Sequence, residues 1–113
     1  MFIVYQLQLV CNKTYFGTTP GWRKEERLRE HRRGTGALWT RRFPPVPDPV
    51  MNSWEGFETR EEAYEFENIK TEEWMEIHGI NSCRGGLQNY GQEGPPWHFW
   101  VRPHLQHLIP IDN

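Results

Sequence analysis

The sequence predicts an α+β domain, because stretches with the two-residue apolar period of strands alternate with stretches that carry helix start and stop signals. Residues 2–10 alternate as a strand does, and residues 14–17 form the returning strand of a hairpin. Residues 59–78 open with a helix-capping motif. The 113 residues suffice for one domain, and six Trp, six Phe and four Tyr make its core aromatic.

A basic helix is predicted directly after the hairpin. Thr19 is a typical N-cap, Pro20 is a typical first helical residue, and Gly34 is a typical stop signal. The sequence therefore predicts a helix from Pro20 to about Arg33. Its apolar content is thin, so most of its surface is expected to face solvent or a charged partner.

A proline-rich connector separates this helix from the second half of the chain. Residues 34–42 have room for a helical turn, and residues 43–49 carry four prolines that favour an extended connector. Residues 50–57 are predicted as a third strand. Thr59 then caps a helix that ends near His78. The buried stripe predicted for this helix is Ala63, Phe66, Ile69, Trp74 and Ile77.

Positive charge is concentrated in the first half of the chain. Residues 1–47 carry nine Lys and Arg against three acids, whereas residues 48–113 carry four against twelve. The formal net charge of −2 therefore hides a basic segment that suits a nucleic-acid partner. The same asymmetry fits a basic helix docked on an acidic one, and charge alone does not separate the two interpretations.

Composition disfavours membrane and secreted classes. No stretch is long and apolar enough to span a membrane, and the apolar start of the chain lacks the pattern of a cleavable signal. Cys11 and Cys83 lie far apart and match no metal-binding spacing. We therefore expect an intracellular protein of a reducing compartment, cytoplasm or nucleus, that is not secreted and contacts no membrane.

A candidate phosphate-binding pair lies in the basic helix. Arg27 and His31 are four residues apart, so one helix face presents a guanidinium and an imidazole together. Tyr5 and Tyr15 on the hairpin can relay protons, and Glu67 at the edge of an apolar stripe can hold a divalent cation. Each has a plainer interpretation alone, as a solvated face, packing tyrosines or a surface acid. As a set they suit metal-assisted phosphodiester hydrolysis.

The order of these residues resembles that of the GIY-YIG nuclease family. The matching positions, within roughly residues 3–86, are Ile3-Val4-Tyr5, Tyr15-Phe16-Gly17, Arg27, His31, Glu67 and Asn81. Residues 36–42 and 79–86 also resemble small members encoded by phages and large DNA viruses. Ile3 stands where the family has glycine and Phe16 where it has isoleucine. Both are packing positions of the hairpin, so we expect altered packing and intact chemistry.

The resemblance implies a metal-dependent endonuclease that hydrolyses DNA phosphodiester bonds. The implied catalytic set is Tyr5, Tyr15, Arg27, His31, Glu67 and Asn81. In it Tyr5 activates the water with help from Tyr15 or His31, and Arg27 binds the scissile phosphate. Glu67 holds one Mg²⁺ or Mn²⁺ ion, and Asn81 braces the site.

The resemblance also implies a small three-stranded, mainly antiparallel central sheet flanked by helices, with Tyr5 and Tyr15 on one face. Residues directly opposed in a strand pair share a face, and the face alternates at every residue. A two-residue turn at Asn12-Lys13 would place the two tyrosines on opposite faces of the strand pair. A three-residue connection starting at Cys11 opposes Tyr15 to Leu9 and places both tyrosines on the same face. We therefore predict an odd-numbered loop or a bulge.

Residues 13–42 are expected to contact the phosphate backbone of DNA. The basic side chains assigned to this contact are Arg23, Lys24, Arg29, Arg32, Arg33, Arg41 and Arg42. They also fit a solvated rim. Trp39 is assigned to the same contact through stacking on a base, although a place in the core is the favoured interpretation of this tryptophan.

The chain divides into a nuclease-like domain, residues 1–86, and a proline- and aromatic-rich extension, residues 87–113. Residues 97–100 of the extension are expected to pack on the domain or to mediate oligomerisation, so the protein is a monomer or a homodimer. Two other functions stay open. One is a non-catalytic nucleic-acid-binding module that keeps the nuclease fold, and the other is a structural domain that binds partners through the aromatic tail.

Overall fold

The computed structural model describes residues 1–91, 93 and 101–109 as an α+β domain. In chain order its elements are β1 (Phe2–Leu9), β2 (Thr14–Pro20), α1 (Lys24–Arg33), α2 (Leu38–Arg42), β3 (Pro45–Phe57), α3 (Arg60–His78) and β4 (Cys83–Arg84). Short 3₁₀ turns lie at Val10–Asn12, Gly21–Arg23 and Pro103–Leu108. The predicted fold class is therefore confirmed at the level of α+β.

The central sheet has four strands in the order β3-β1-β2-β4, so the prediction of three strands was wrong. β1 pairs antiparallel with β2 and with β3, whereas β4 pairs parallel with β2 opposite Thr14 and Tyr15. The sheet is therefore mixed. A strand of two residues has no alternation to detect, which is why the sequence pattern missed β4.

β3 begins at Pro45, within the segment that was predicted to be an extended connector. It lies at the edge of the sheet. A proline lacks the backbone N–H that a central strand needs, but an edge strand has one side without a partner strand. The register between β1 and β3 shifts near Leu7, which opposes Val50, and near Leu9, which opposes Pro45. Prolines within strands are found at edges and at bulges, so these register shifts are compatible with the prolines of β3.

The β1–β2 hairpin places both tyrosines on one face, as predicted. Tyr15 opposes Leu7 and Tyr5 opposes Gly17, so the two tyrosine positions are offset by two along β1, with one residue between them, and share a face. The loop closed by the last opposed pair, Gln8 with Thr14, holds five residues, an odd number. The predicted three-residue loop was therefore too short by two, a difference that preserves the face.

The first helix begins at Lys24, so Thr19 and Pro20 are not its cap and first residue. They continue β2, where Thr19 opposes Ile3. The pairing of a long strand outweighs a local capping signal in this segment. Gly34 ends the helix in the left-handed region with φ of 76°, as the sequence predicts.

The second predicted helix, α3, has the expected ends and a different buried face. The Thr59 side chain accepts a hydrogen bond from the backbone N–H of Glu62, as a capping box requires. The fully buried positions are Ala63, Glu67, Thr71 and Met75. Ile69 and Ile77 are exposed, so their predicted place in the buried stripe was wrong. Glu67 and Thr71 turn inward because both find hydrogen-bond partners there.

The two faces of the sheet carry separate cores. One contains Tyr5, Leu7, Tyr15, Leu28 and Trp39 beneath α1 and α2, with Leu9 beside them. The other contains Phe16, Met75, Ile80 and Cys83 beneath α3, together with Val101 and Leu105 of the C-terminal extension. Thus part of the extension packs on the domain, while the aromatic run 97–100 falls outside the described residues. None of the described helices is both long and apolar enough to cross a membrane.

Candidate active site

A chain of three hydrogen bonds links β1 to α1 and α2. The Tyr5 hydroxyl lies 2.8 Å from His31 Nε2, and His31 Nδ1 lies 2.9 Å from Thr40 Oγ1. The Thr40 hydroxyl in turn donates to the carbonyl oxygen of Ala37 at 2.9 Å. Tyr5 and His31 are almost fully buried, with 1% and 0% of their surface exposed. The sequence pattern that grouped Tyr5 with His31 therefore corresponds to a direct contact.

The direction of these bonds fixes the tautomer of His31. Because the single hydroxyl proton of Thr40 goes to Ala37, Thr40 Oγ1 accepts from His31, which therefore carries its proton on Nδ1. His31 Nε2 is then the acceptor, and Tyr5 donates to it. Burial, together with the nearby Arg27 charge, lowers the pKa of His31 to about 4. His31 is therefore neutral at pH 7, with a lone pair on the nitrogen that faces Tyr5.

Arg27 lies beside both phenols on the same face of the sheet. Burial raises the pKa of Tyr5 well above its usual value and that of Tyr15 likewise, and the Arg27 charge opposes this rise at both. Arg27 Nη1 binds Glu30 Oε2 at 2.7 Å, and a quarter of the Arg27 side chain is exposed. A guanidinium has five N–H donors, so pairing with Glu30 leaves donors for an incoming phosphate.

Glu67 reaches the same region from α3 on the other side of the sheet. One carboxylate oxygen accepts from the Thr18 hydroxyl at 2.7 Å, and the other accepts from the backbone N–H of Gly86. Only 5% of its surface is exposed. Burial raises the pKa of Glu67 to about 7, although both hydrogen bonds and Arg27 oppose the rise. This carboxylate therefore ionises near neutral pH.

A cavity of about 160 Å³ connects Tyr15 with Glu67. Thr18 and Gly86 of its lining lie just beyond the β2–β4 pairing, which ends at Tyr15 and Arg84. Thr18 and Gly86 form the more buried part of the remaining wall, and Asn89, Arg60 and Tyr64 lie at its exposed side. The cavity is thus polar and carries a phenol and a titratable carboxylate.

Two glycines are needed for the close approach of these side chains. A Cβ on Gly17 would lie 2.4 Å from the Tyr5 hydroxyl oxygen, and one on Gly36 would lie 2.4 Å from His31 Nδ1. Any larger residue at either position displaces the phenol or the imidazole. The glycine of the Tyr15-Phe16-Gly17 triplet thus has a physical reason to be there.

Asn81 does not join the cluster, contrary to the expectation from sequence. Its side-chain oxygen accepts from Arg84 at 3.3 Å, and its backbone oxygen accepts from Lys13 at 2.8 Å. The asparagine that lines the cavity with Glu67 is Asn89. Both follow a glycine-rich or turn-forming stretch, and a single sequence offers no period that distinguishes them.

Trp39 is a core residue, so the expected stacking on a base does not fit its position. None of its surface is exposed, and its indole N–H donates to the carbonyl oxygen of Thr14 at 3.1 Å. The guanidinium of Arg84 lies 4.2 Å from the centroid of the Trp39 ring. Trp39 therefore supports the face that carries Tyr15 and is closed to a nucleotide.

The basic side chains assigned to DNA form an exposed or partly exposed rim on α1, α2 and the preceding turn. Arg29 and Arg33 both pair with Glu26, Arg42 pairs with Glu93, and Arg23 pairs with Glu30. The others are Lys24, Arg32 and Arg41. Ion pairs at the surface contribute little to stability, so a polyanion competes with them easily. The described positions permit the expected phosphate contacts.

Several residues of the site were not predicted from the sequence. Thr40 and Thr18 orient His31 and Glu67, and Gly86 donates its backbone N–H to Glu67. Thr40 lies within the resembling stretch 36–42, but the role of neither threonine could be predicted, because a hydroxyl that binds a distant side chain leaves no period in the sequence. Gly86 lies within residues 79–86, which the resemblance includes, but its closeness to Glu67 depends on the fold.

The residues around Glu67 fit one divalent ion held mostly by non-protein ligands. Each carboxylate oxygen has two lone pairs, so the bonds from Thr18 and Gly86 leave acceptor capacity toward the cavity. Within the part of the chain that the structure describes, no three acidic, His or Cys side chains group closely enough to share a metal. Magnesium bound by one carboxylate, substrate phosphate and water needs no such group.

Comparisons of the chain with models of protein families, with curated proteins and with solved structures found no match. Any assignment of function therefore rests on the geometry of this cluster.

Glu67→Gln is expected to stabilise the fold at high pH and to leave stability unchanged at low pH. The folded pKa of about 7 lies above the ordinary 4.5, so the stabilisation that protonated Glu67 provides is complete below pH 4.5 and is lost as pH rises through 7. Glutamine mimics the protonated acid. The expected gain at pH 8 is up to about 3 kcal/mol, since one pKa unit corresponds to about 1.4 kcal/mol.

Urea unfolding of both proteins at pH 5 and pH 8 measures this difference. Glu65→Gln, the same change at an exposed position of α3, is the matched control. Glutamine can still accept from Gly86 and donate to the Thr18 hydroxyl, so the hydrogen bonds survive. An equal change in unfolding free energy at the two pH values would contradict the raised pKa.

Proposed function

We propose that this chain is a metal-dependent endonuclease of the GIY-YIG type that hydrolyses DNA phosphodiester bonds. The observation that carries the proposal is the contact of Tyr5 with His31, with Arg27 beside the phenols and a cavity that joins Tyr15 to Glu67. A proton relay, a cation for phosphate and a titratable carboxylate in the wall of a polar cavity are parts that suit phosphodiester hydrolysis.

In the proposed mechanism Tyr5 acts as a proton relay and never as a stable phenolate. Its raised pKa disfavours a standing phenolate. Instead the Tyr5 oxygen accepts a proton from the attacking water while its own proton passes to His31 Nε2, which becomes an imidazolium. The water oxygen forms the new bond to phosphorus as the bond to the leaving oxygen breaks, and the departing alkoxide takes a proton from solvent. His31 keeps its Nδ1–H on Thr40 throughout, so the ring stays oriented.

Arg27 is proposed to bind the scissile phosphate and to stabilise the charge that develops on it. It is a partly exposed cation that interacts with both phenols, and its guanidinium is also bound by Glu30. Glu67 is proposed to hold one Mg²⁺ or Mn²⁺ ion, which when bound supplies Lewis-acid stabilisation of the phosphate oxygens. The ionised form of Glu67 is the one that binds a cation, so activity is expected to rise through neutral pH.

The proposal is tested with a panel of labelled DNAs that includes duplex, single-stranded, flap and branched forms. Each is incubated with the protein and Mg²⁺ or Mn²⁺, and the ends of the products are mapped. We expect cleavage of at least one form, abolished by EDTA. Binding without cleavage of any form in either metal would favour the non-catalytic binding module.

Arg27→Ala is expected to lower the single-turnover cleavage rate by about 10²-fold, the range seen when one donor to a developing oxyanion is removed. Arg32→Ala, an exposed change on the same helix, is the control. It is expected to weaken binding evenly across DNA sequences and to flatten the salt dependence, with little effect on the rate at saturation. An Arg27→Ala rate within a few-fold of wild type would remove Arg27 from the reaction.

A further inference from the structure

Trp22 is an exposed tryptophan beside the candidate active site, and the proposed chemistry does not use it. It exposes 86% of its surface, whereas Trp39 exposes none. Such exposure removes a large aromatic ring from any packing role in the domain. Tryptophan is enriched at binding interfaces, so an exposed indole ring that adjoins a cavity is suited to contact with a bound partner.

The backbone fixes Trp22 next to the phosphate-binding end of α1. It lies in the 3₁₀ turn Gly21–Arg23, which the backbone N–H of Gly21 ties to the carbonyl oxygen of Met1 at 2.9 Å. The neighbouring Arg23 binds Glu30, and Glu30 also binds Arg27. The Glu30 carboxylate thus binds both the Arg23 guanidinium, which follows Trp22 in the chain, and the Arg27 guanidinium beside the phenols.

A cavity of about 330 Å³ adjoins the Trp22 ring, a size within the range of small-ligand pockets. Its wall includes Lys24 of α1 and Glu55 and Gly56 of β3. Lys24 suits a phosphate, whereas Glu55 repels one and accepts hydrogen bonds from an amino group. The charges therefore favour a ligand whose anionic backbone lies near α1 and whose neutral, hydrogen-bonding part lies toward β3.

We propose that Trp22 is the stacking platform for an unpaired DNA base, with the adjacent phosphate on Lys24. This inference rests on the proposed nuclease function, because the bound strand continues past Arg23 to Arg27. In a duplex both faces of a base are already stacked on neighbouring pairs, so only an unpaired or unstacked base can use the Trp22 ring. The preferred substrates are therefore DNAs with a single-stranded segment next to the cleaved bond.

Binding in EDTA, where no cleavage occurs, tests this preference. The probes are a paired duplex and the same duplex with a short single-stranded flap that carries 2-aminopurine, whose fluorescence falls when it stacks. Base stacking on an aromatic side chain is worth about 1–3 kcal/mol, so Trp22→Ala is expected to weaken flap binding by about 10-fold. Duplex affinity is expected to change less than about twofold. Trp22→Phe should keep most of the flap affinity and the 2-aminopurine quenching.

Ile77→Ala, at another exposed apolar residue with 76% of its surface exposed, is the control for general surface effects. Equal losses for flap and duplex, or no loss for either, would overturn the inference. A Trp22→Ala change in oligomeric mass with unchanged DNA affinity would also overturn it and assign the ring to an interface between copies. Flap binding that depends on Trp22 in a chain that cleaves nothing with Mg²⁺ or Mn²⁺ would keep the platform and overturn only the nuclease proposal.

Discussion

Glu67→Gln is expected to abolish DNA cleavage while DNA affinity in EDTA stays within a few-fold of wild type. The substitution keeps the size of the side chain and removes the negative charge that holds the divalent cation. A metal that stabilises phosphate charge contributes several kcal/mol to the transition state, which corresponds to a loss of about 10³-fold or more. Because Glu67 is 5% exposed and is hydrogen-bonded to Thr18, its change is expected to affect the basic rim little.

Single-turnover rates with Mg²⁺ and with Mn²⁺ measure this loss, and Glu65→Gln on the exposed face of the same helix is the matched control. The expected stabilisation of Glu67→Gln at pH 8 excludes unfolding as the cause. Full activity of Glu67→Gln would remove this residue from the metal role. Equal losses in both glutamine variants would indicate a general effect of charge on α3.

Tyr5→Phe is expected to lower the single-turnover rate by about 10²- to 10⁴-fold, the usual worth of general acid–base catalysis. Phenylalanine keeps the ring against Tyr15 and Trp39 and removes only the hydroxyl that donates to His31. The variant leaves His31 Nε2 without that donor in a buried site, which costs about 1–3 kcal/mol of stability. DNA affinity is expected to change little, because Tyr5 is 1% exposed.

Tyr15→Phe is the informative companion, because the two phenols differ in their surroundings. The Tyr5 hydroxyl is hydrogen-bonded to the proton acceptor His31, whereas Tyr15 and Glu67 both line the cavity. We expect a smaller loss for Tyr15→Phe. A rate that falls for Tyr15→Phe and not for Tyr5→Phe would reverse the two roles. Rates unaffected by either change would leave water activation to His31 or to the metal.

Features of the fold that depend on nearby residues were readable from the sequence. The Thr59 cap, the Gly34 stop and the strand alternation each involve residues a few positions apart. The requirement that Tyr5 and Tyr15 share a face gave the correct parity of the hairpin loop. Its length was missed because Leu9 leaves the β2 register and binds Lys13 across the loop instead.

Features that depend on distant partners were not readable. Glu67 and Thr71 replaced Ile69 and Ile77 on the buried face of α3, because Thr18, Gly86 and the helix backbone supply hydrogen bonds there. β4 exists only because β2 offers it an edge. Likewise, Trp22 and Trp39 both lie near arginines in the sequence, and their composition does not distinguish them. In the structure Trp39 is buried and Trp22 is exposed.

The most direct test of the proposed function compares wild type with the Tyr5→Phe/Glu67→Gln double variant on labelled flap and duplex DNA. Both proteins are purified in parallel and assayed under single-turnover conditions with Mg²⁺, with Mn²⁺ and with EDTA. We expect cleavage by wild type in either metal, none in EDTA and none by the double variant, with both proteins binding DNA alike. Cleavage at the same rate by the double variant, or DNA binding by wild type with no cleavage in either metal, would contradict the proposed nuclease site.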